Sequence, residues 1–226
     1  MKKSQNNYLL KKRLEVLKFA KIFVSEKGLT KNSLENISKR YGIDINETEL
    51  LFPEGNIDLI QFTLEQLNKE LEEYCRKIDL IRLPVHKRIK IVLLSKISLM
   101  NKNKLFYRSI FFNLLVPKKN FSLSSQLYKS VDQIWFIAGD SSTDFNFYTK
   151  RLILSVIYSR IMLCFFNNNN QEELENILDD SLQRVSRIPE IKSKLKIFTE
   201  YFPKVAKFVK IHIKQYCQVL IHFVYE

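Results

Sequence analysis

Glycine and proline are scarce in this chain, which has 4 Gly and 5 Pro among its 226 residues. Tight turns depend on both residues, because glycine reaches positive φ and proline fixes the backbone of a turn. No glycine-rich loop that could cradle a phosphate is present either. With 46% hydrophobic residues, the composition favours a compact helical protein with few tight turns.

Cysteine and histidine are also rare and widely spaced. The cysteines are Cys75, Cys164 and Cys217, and the histidines are His86, His212 and His222. No CxxC, HExxH or comparable ligand spacing connects them, which argues against a disulfide framework and against a zinc site. We expect the protein to reside in a reducing cytoplasm and to bind neither a metal ion nor a cofactor.

Long apolar runs are missing as well. A membrane-spanning helix needs about 18 apolar residues in a row, and every stretch of that length here contains charge. The first residues include two lysines but lack the apolar region and the small-residue cleavage site of a secretory signal. We therefore expect neither a spanning helix nor a cleaved leader.

No catalytic constellation is visible among the polar residues. The segment GDSST is not a GxSxG nucleophile elbow, and the histidines have no serine or cysteine partner at an informative spacing. Asp132, Asp140 and Asp144 could act as acid–base carboxylates, but helix capping and surface solvation explain them more simply. The sequence predicts that the chain is not an enzyme.

Positive charge, by contrast, is abundant, since 37 Lys and Arg against 24 Asp and Glu give a net charge of +13. Such an excess ordinarily indicates nucleic acid or an anionic membrane as partner. The heavy use of Asn, Lys and Ile is also typical of an AT-biased genome, which supplies lysine without selection for binding. The charge alone does not choose a partner.

Helical periodicity dominates the chain. Nearly every longer segment places apolar residues three and four apart, and none alternates as a strand would. The sequence therefore predicts an all-α fold. Predicted helices end near Gly28 and Tyr41, and others cover residues 46–51, 60–74, 84–100, 104–115, 121–138, 142–166, 171–187 and 203–225.

These helices suggest three parts: a helix-turn-helix-like module at residues 1–55, a helical bundle at 56–190 and an amphipathic segment at 191–226. The module resembles the DNA-binding domain of TetR-type repressors over about residues 8–55. The positions that match are Ala20, Phe23, Gly28, Leu34, Ile37, Gly42, Leu51 and Phe52. Its recognition helix, however, carries Glu47 and Glu49, which the DNA backbone repels. We predict a retained fold that binds no nucleic acid.

The C-terminal segment is basic on one side and apolar on the other. The basic side carries Lys204, Lys207, Lys210 and Lys214. Phe208 lies among the opposing apolar residues. This pattern suits a helix in the interface of an anionic membrane. The alternative is that the apolar side packs on the rest of the protein or on a second subunit.

A helix-start signal stands at residues 139–144, where GDSSTD supplies short side chains that cap a first turn. Counting from Asp144 at helical spacing, Phe147, Tyr148 and Arg151 fall on the same face. One side of this helix thus combines a carboxylate, two aromatic rings and a guanidinium. The alternative is that the rings enter the core and the two charges are solvated or paired.

Several blocks resemble one family. LFPEG at residues 51–55, VDQIW at 131–135, AGDSSTDFNFYTKR at 138–151 and LSVIY at 154–158 are similar to the coenzyme Q biosynthesis accessory proteins that are ninth in the Coq series. The resemblance covers most of the chain. It implies a TetR-like fold, a homodimer, binding of an isoprenoid quinone intermediate and of phospholipid, and support of the di-iron demethoxyubiquinone hydroxylase.

The resemblance also assigns residues. Ile134, Asp144, Phe147 and Tyr148 match the family's surface patch for the hydroxylase, and Arg151 matches an arginine near bound phospholipid. Phe147 replaces the tryptophan usual in the block, and Ile134 stands where some members have methionine. Partner affinity or partner choice is expected to differ accordingly.

The residues and the resemblance together predict a lipid-binding accessory protein that extracts a quinone intermediate from the membrane and presents it to the hydroxylase. Residues 203–225 correspond to the family's membrane-attached helix and would hold the protein on the inner membrane of a bacterial-type cytoplasm. A mitochondrial location is less expected, because no transit peptide is seen. The alternatives are a TetR-type lipid-responsive regulator and a structural partner in a biosynthetic complex.

Overall fold

A computed structural model of the chain describes residues 2–115, 122–140, 145–167 and 170–186. Within these ranges the chain forms nine α-helices and no strand, which confirms the all-α prediction. The helices are α1 (Lys2–Lys27), α2 (Ser33–Tyr41), α3 (Ile45–Leu51), α4 (Asn56–Cys75), α5 (Val85–Asn101), α6 (Lys104–Leu115), α7 (Ser122–Ile137), α8 (Phe145–Asn167) and α9 (Gln171–Ser186).

Several predicted helix ends agree closely with the observed ones. Helix α6 has the predicted bounds, and α5, α7 and α9 begin and end within one residue of theirs. Gly28 follows the last residue of α1 with φ of 73° and donates its amide to the carbonyl of Val24 at 2.9 Å. A left-handed glycine at this position is a common helix stop, which is why the sequence located it.

The first three helices pack on one another. The rings of Phe19 on α1 and Tyr41 on α2 stack at 4.4 Å between centroids. The hydroxyl of Ser38 on α2 donates to the hydroxyl of Thr48 on α3 at 2.9 Å, so that their buried contact is polar but satisfied. Glu47 on α3 is not free, because its carboxylate pairs with Lys12 at 3.3 Å. The likeness of this module to TetR repressors stays a prediction.

The remaining helices build a bundle in which α4 packs against α5 and α7, and α7 in turn packs against α8. Met1–Asp179 forms one compact unit, and Asp180–Glu226 forms a second, of which only residues 180–186 are described. Because α1 packs against α6 as well as against α2, no gap in contacts separates residues 1–55 from the bundle. The functional division at residue 55 stays a prediction, and the predicted segment 191–226 lies outside the described residues.

The interior of the bundle contains a lysine. The side chain of Lys96 on α5 is completely buried, and its Nζ donates to Oδ1 of Asn68 on α4 at 3.0 Å. The same amine lies 5.3 Å from the centre of the buried ring of Tyr158 on α8. Burial lowers the pKa of Lys96 from 10.5 to about 7, because the charged form loses its hydration.

Candidate functional site

The junction of α7 and α8 holds a cluster of charged side chains in which that of Arg151 is buried. Helix α7 ends at a turn in which Gly139 adopts φ of 80°, and the amide of Asp140 donates to the carbonyl of Trp135 at 3.0 Å. Helix α8 begins at Phe145, directly after the predicted capping residues. The glycine therefore brings the two helices together with a carboxylate at their corner.

Arg151 on α8 lies at the centre of this corner, with only 4% of its side chain exposed. Its Nε donates to Oδ1 of Asp132 on α7 at 2.6 Å. One terminal nitrogen lies 3.4 Å from Oδ2 of Asp140 and 3.2 Å from the carbonyl oxygen of Phe147. We call Asp132, Asp140 and Arg151 the ion-pair hub. Arg151 and Asp140 are both buried, with 4% and 7% of their side chains exposed, so separating them would leave a charge away from water.

The hub also contacts the first turn of α8. The guanidinium carbon of Arg151 lies 3.3 Å from the centre of the Phe147 ring, which is a close cation–π contact. Phe147 in turn meets Tyr148 edge to face, with 5.1 Å between ring centres. Tyr148 is 68% exposed. A buried charge cluster is thereby linked through one ring to an exposed one.

The only tryptophan of the chain belongs to the same corner. Trp135 is buried on α7, and its Nε1–H donates to the carbonyl of Lys150 on α8 at 3.3 Å. Nζ of Lys150 lies 5.6 Å from the Trp135 ring centre and pairs with Asp140 at 2.8 Å. The fluorescence of this single indole therefore reports on the packing of α7 against α8.

The structure separates the residues that the resemblance assigned to a surface patch. Tyr148 is exposed as predicted, and Phe147 is half-buried beneath it. Ile134 has 0% exposure, so its predicted surface position is wrong. Helix α7 packs against α4, α5, α6 and α8, so a buried residue on α7 lies inside the bundle. Asp144 lies outside the described residues.

Arg151 follows the paired alternative of the sequence analysis, because both of its hub partners are carboxylates of this chain. Its contact with a lipid phosphate stays a prediction. The residues predicted to touch the membrane all lie outside the described part of the chain. They are Lys204, Lys207, Phe208, Lys210 and Lys214.

Sequence reasoning missed an exposed apolar row that continues from Tyr148 along α8. Leu152 and Val156 follow at spacings of four residues, and both are exposed. We call Phe147, Tyr148, Leu152 and Val156 the α8 face. Spacing by four was available in the sequence, but only the packing of α7 shows that this row is uncovered. Exposed rows of large apolar side chains commonly mark interaction surfaces.

Two concave regions lie elsewhere in the described residues. A groove of about 630 Å³ opens between α1 and α3. A smaller pocket of about 200 Å³ lies among α5, α8 and the start of α9. The groove is lined by Asn7, Leu9, Leu10, Arg13, Leu50, Leu51, Pro53 and Asp58. The binding of a quinone intermediate stays a prediction.

Neither a metal-binding cluster nor a membrane-spanning helix occurs in the described ranges. No group of three or more His, Cys, Asp and Glu side chains in these ranges could hold a metal ion. Among the helices described, none combines the length and the apolar character that crossing a bilayer demands.

Gly139 is expected to tolerate alanine poorly. Its φ of 80° is costly for any residue with a Cβ, and a Cβ there would lie 3.0 Å from a terminal nitrogen of Arg88. That arginine donates to the carbonyl of Ala138 at 3.2 Å and to that of Leu83 at 2.7 Å. We expect Gly139→Ala to lower the free energy of unfolding by about 2 kcal/mol, measured by urea denaturation.

The matched control for this change is Gly42→Ala. Gly42 has φ of 67° but nothing within 4 Å of an added Cβ, so the alanine is unfavourable there only because of the left-handed backbone. We expect Gly42→Ala to lower the free energy of unfolding by about 1 kcal/mol. Emission from Trp135 should shift in Gly139→Ala and stay constant in Gly42→Ala. If the two variants lose the same free energy of unfolding, Arg88 does not obstruct the added Cβ at position 139.

Comparison with known proteins finds a similarity that includes the α7–α8 corner. A family model described as COQ9 matches residues 122–189, which include all of α7, α8 and the ion-pair hub. The human ubiquinone biosynthesis protein COQ9, mitochondrial, is 34% identical over 86 residues, which are 35% of this chain and 27% of that protein. The bovine protein of that name is 34% identical over 89 residues, which are 36% of this chain and 28% of that protein.

A longer alignment joins the chain to the rat ubiquinone biosynthesis protein COQ9, mitochondrial. The two are 23% identical over 190 residues, which are 79% of this chain and 61% of the rat protein. The chain thus spans less than two thirds of each of these relatives. The family match at the α7–α8 corner, the alignment over most of the chain and the all-α architecture agree, and together they make this chain similar to the COQ9 ubiquinone biosynthesis proteins.

Proposed function

We propose that this chain is a lipid-binding accessory protein of ubiquinone biosynthesis. It takes an isoprenoid quinone intermediate from the membrane and presents it to the demethoxyubiquinone hydroxylase, without making or breaking a bond itself. The names of the relatives, all ubiquinone biosynthesis proteins, support the pathway. The observation that carries the proposal is the exposed α8 face, which lies inside the matched segment.

The α8 face suits a protein partner for a physical reason. Tyr148 offers a large ring with a polar end, and such residues often dominate binding energy when a partner removes them from water. Leu152 and Val156 extend the apolar area along the helix. Phe147, half-buried, supports the exposed ring from below. The expected partner surface is apolar at its centre and polar around the edge.

The lipid half of the proposal rests on transfer between two apolar environments. An isoprenoid tail leaves a bilayer only for a site that buries it equally well, so this task needs burial and no catalytic group. Residues 203–225 are proposed to hold the protein peripherally on an inner membrane, through their lysines and apolar residues. The relatives are mitochondrial by name. We also propose that the active form is a homodimer.

The alternative, a TetR-type regulator that senses a lipid, is less well supported. A DNA-reading helix needs donors for phosphates and base edges. The exposed residues of α3 include Glu49 and Leu50, and its Glu47 uses the nearby cation Lys12. Neither a carboxylate nor a leucine supplies what a phosphate backbone requires. These side chains therefore argue against DNA binding by the module.

The test of the proposal is Tyr148→Ala. We expect the dissociation constant for the hydroxylase of the same organism to rise at least about tenfold, because the exposed ring supplies a central contact. The free energy of unfolding should change by less than about 0.5 kcal/mol, since the ring is 68% exposed. Binding is measured by isothermal titration calorimetry and unfolding by urea denaturation.

Tyr74→Ala is the matched control, because Tyr74 is an exposed tyrosine on α4, away from the α8 face. It should bind the hydroxylase with wild-type affinity. Mass spectrometry of lipids from the natively purified protein should recover a quinone or isoprenoid near one per chain. Wild-type affinity in Tyr148→Ala, or a protein without bound lipid, would count against the corresponding half of the proposal.

A further inference from the structure

We infer that Arg151 is a positioning residue of the α8 face: held by Asp132 and Asp140, it fixes the Phe147 ring and through it the exposed Tyr148. This inference rests on the proposed function, because it assigns the hub a part in partner binding. It differs from the role that the family resemblance gives Arg151, which is contact with a phospholipid.

The contacts of Arg151 are the first support. Its Nε is used by Asp132 at 2.6 Å, and one terminal nitrogen is shared by Asp140 and the Phe147 carbonyl at 3.4 and 3.2 Å. A guanidinium binds a phosphate best through two parallel N–H donors. With 4% of its side chain exposed, Arg151 would have to leave a buried carboxylate to do so. Its surroundings thus favour an internal role.

The position of the hub between two helices is the second support. Asp132 belongs to α7, Asp140 to the connection, and Arg151 to the second turn of α8. One side chain therefore sets how the start of α8 sits on the end of α7. Because Phe147 and Tyr148 belong to that start, their direction depends on the same contacts.

The contact with Phe147 carries the effect to the surface. The guanidinium covers the ring at 3.3 Å, and the same side chain donates to the backbone of Phe147 at 3.2 Å. Both the ring and its backbone are thus fixed by Arg151. Phe147 then limits the rotamers of Tyr148 through their edge-to-face contact at 5.1 Å. A ring ordered before binding loses less entropy when the partner arrives.

The experiment uses Asp132→Asn, which removes the carboxylate charge of one hub member. It substitutes no residue of the α8 face. The side chain of Asp132 is 46% exposed, so the variant should fold. The control is Asp179→Asn, which removes a carboxylate of similar exposure that pairs with Lys90 at 2.7 Å. The full-length variants are compared for hydroxylase affinity by calorimetry. Arg151 is followed by its Nε–H signal in the NMR spectrum of arginine-labelled protein, assigned with Arg151→Lys.

We expect Asp132→Asn to weaken hydroxylase binding about tenfold and to make the Arg151 Nε–H exchange rapidly with water. Asp179→Asn should change neither. Asp132→Glu, whose longer carboxylate can still meet Arg151, should recover most of the affinity and the slow exchange. Emission from Trp135, which contacts α8 through Lys150, should shift in Asp132→Asn and stay near its wild-type wavelength in Asp132→Glu and Asp179→Asn.

The affinity and the NMR signal can each overturn the inference. Wild-type affinity in Asp132→Asn would show that the α8 face does not depend on the hub. Reduced affinity with an unchanged Arg151 Nε–H signal would mean that Asp132 touches the partner itself.

Binding of the same variants to vesicles of phosphatidylglycerol is also measured, with phosphatidylcholine vesicles as the reference. Stronger binding of Asp132→Asn to the anionic vesicles, with wild-type hydroxylase affinity, would assign Arg151 to lipid phosphate instead and would also overturn the inference. If the wild-type protein binds no hydroxylase, the proposed partner is wrong. The Arg151 signal in Asp132→Asn then still decides whether Asp132 holds Arg151 in place.

Discussion

Replacing Lys96 by Met is expected to stabilise the protein by about 3 kcal/mol at pH 7. A pKa lowered from 10.5 to about 7 corresponds to about 5 kcal/mol against the charged amine in the folded state. Methionine has a similar length and no charge, so most of this cost disappears. The gain is smaller than 5 kcal/mol because Asn68, which is half-buried, loses its donor and must turn to water.

The pH dependence gives the prediction a second signature. Between about pH 7 and 10.5 the unfolded chain carries a proton on Lys96 that the folded chain lacks. The contribution of Lys96 to the stability of the wild-type protein should therefore rise with pH across this window and be constant below it. In Lys96→Met this part of the slope is absent, so the difference between the two proteins narrows as the pH rises.

Urea denaturation followed by circular dichroism at pH 6.5, 8 and 9.5 measures both effects. Lys39→Met is the control, because Lys39 is an exposed lysine in an ion pair with Glu35. Its stability should lie within about 0.5 kcal/mol of the wild type at each pH. A Lys96→Met protein less stable than the wild type would mean that the amine is charged and paired in the folded state.

Shortening Ile134 to Ala is expected to lower the free energy of unfolding by about 3 kcal/mol. The side chain has 0% exposure, and removing buried methyl groups costs both their transfer from water and the cavity left behind. Val156→Ala is the control on the neighbouring helix, since Val156 is exposed and should lose less than about 0.5 kcal/mol.

The same two variants compare the two placements of Ile134. Because Ile134 is buried, Ile134→Ala should lose stability, and at temperatures where it is folded it should keep most of its hydroxylase affinity. Val156→Ala should do the opposite, because it belongs to the α8 face. Wild-type stability together with lost affinity in Ile134→Ala would return this residue to the surface patch that family resemblance assigned.

The residues at helix ends explain why the helices were predictable. Gly28 and Gly42 stop α1 and α2 with left-handed backbone angles, which few other residues adopt cheaply. GDSSTD interrupts the chain between α7 and α8, and apolar residues recur at helical spacing within each segment. These signals are local, so they survive without knowledge of the packing.

Three side chains show what local signals could not supply. Ile134 matched a surface position by resemblance but is buried, because resemblance marks a place in the chain and not the rotation of α7. Lys96 is a charged residue that sequence reasoning did not single out, yet α4 and α8 cover it. Arg151 was placed on one face with Asp144, while its described partners are Asp132 and Asp140.

By itself the sequence determined the helical class, the bounds of most helices and the family to which the central block is similar, because periodicity, glycine stops and a rare motif are written in consecutive residues. Only the tertiary structure decided which side of each helix packs against a neighbouring helix. That choice buried Ile134 and Lys96, joined Asp132 to Arg151 and left the α8 face open. Burial and charge pairing depend on residues far apart in the chain, and packing alone brings those residues together.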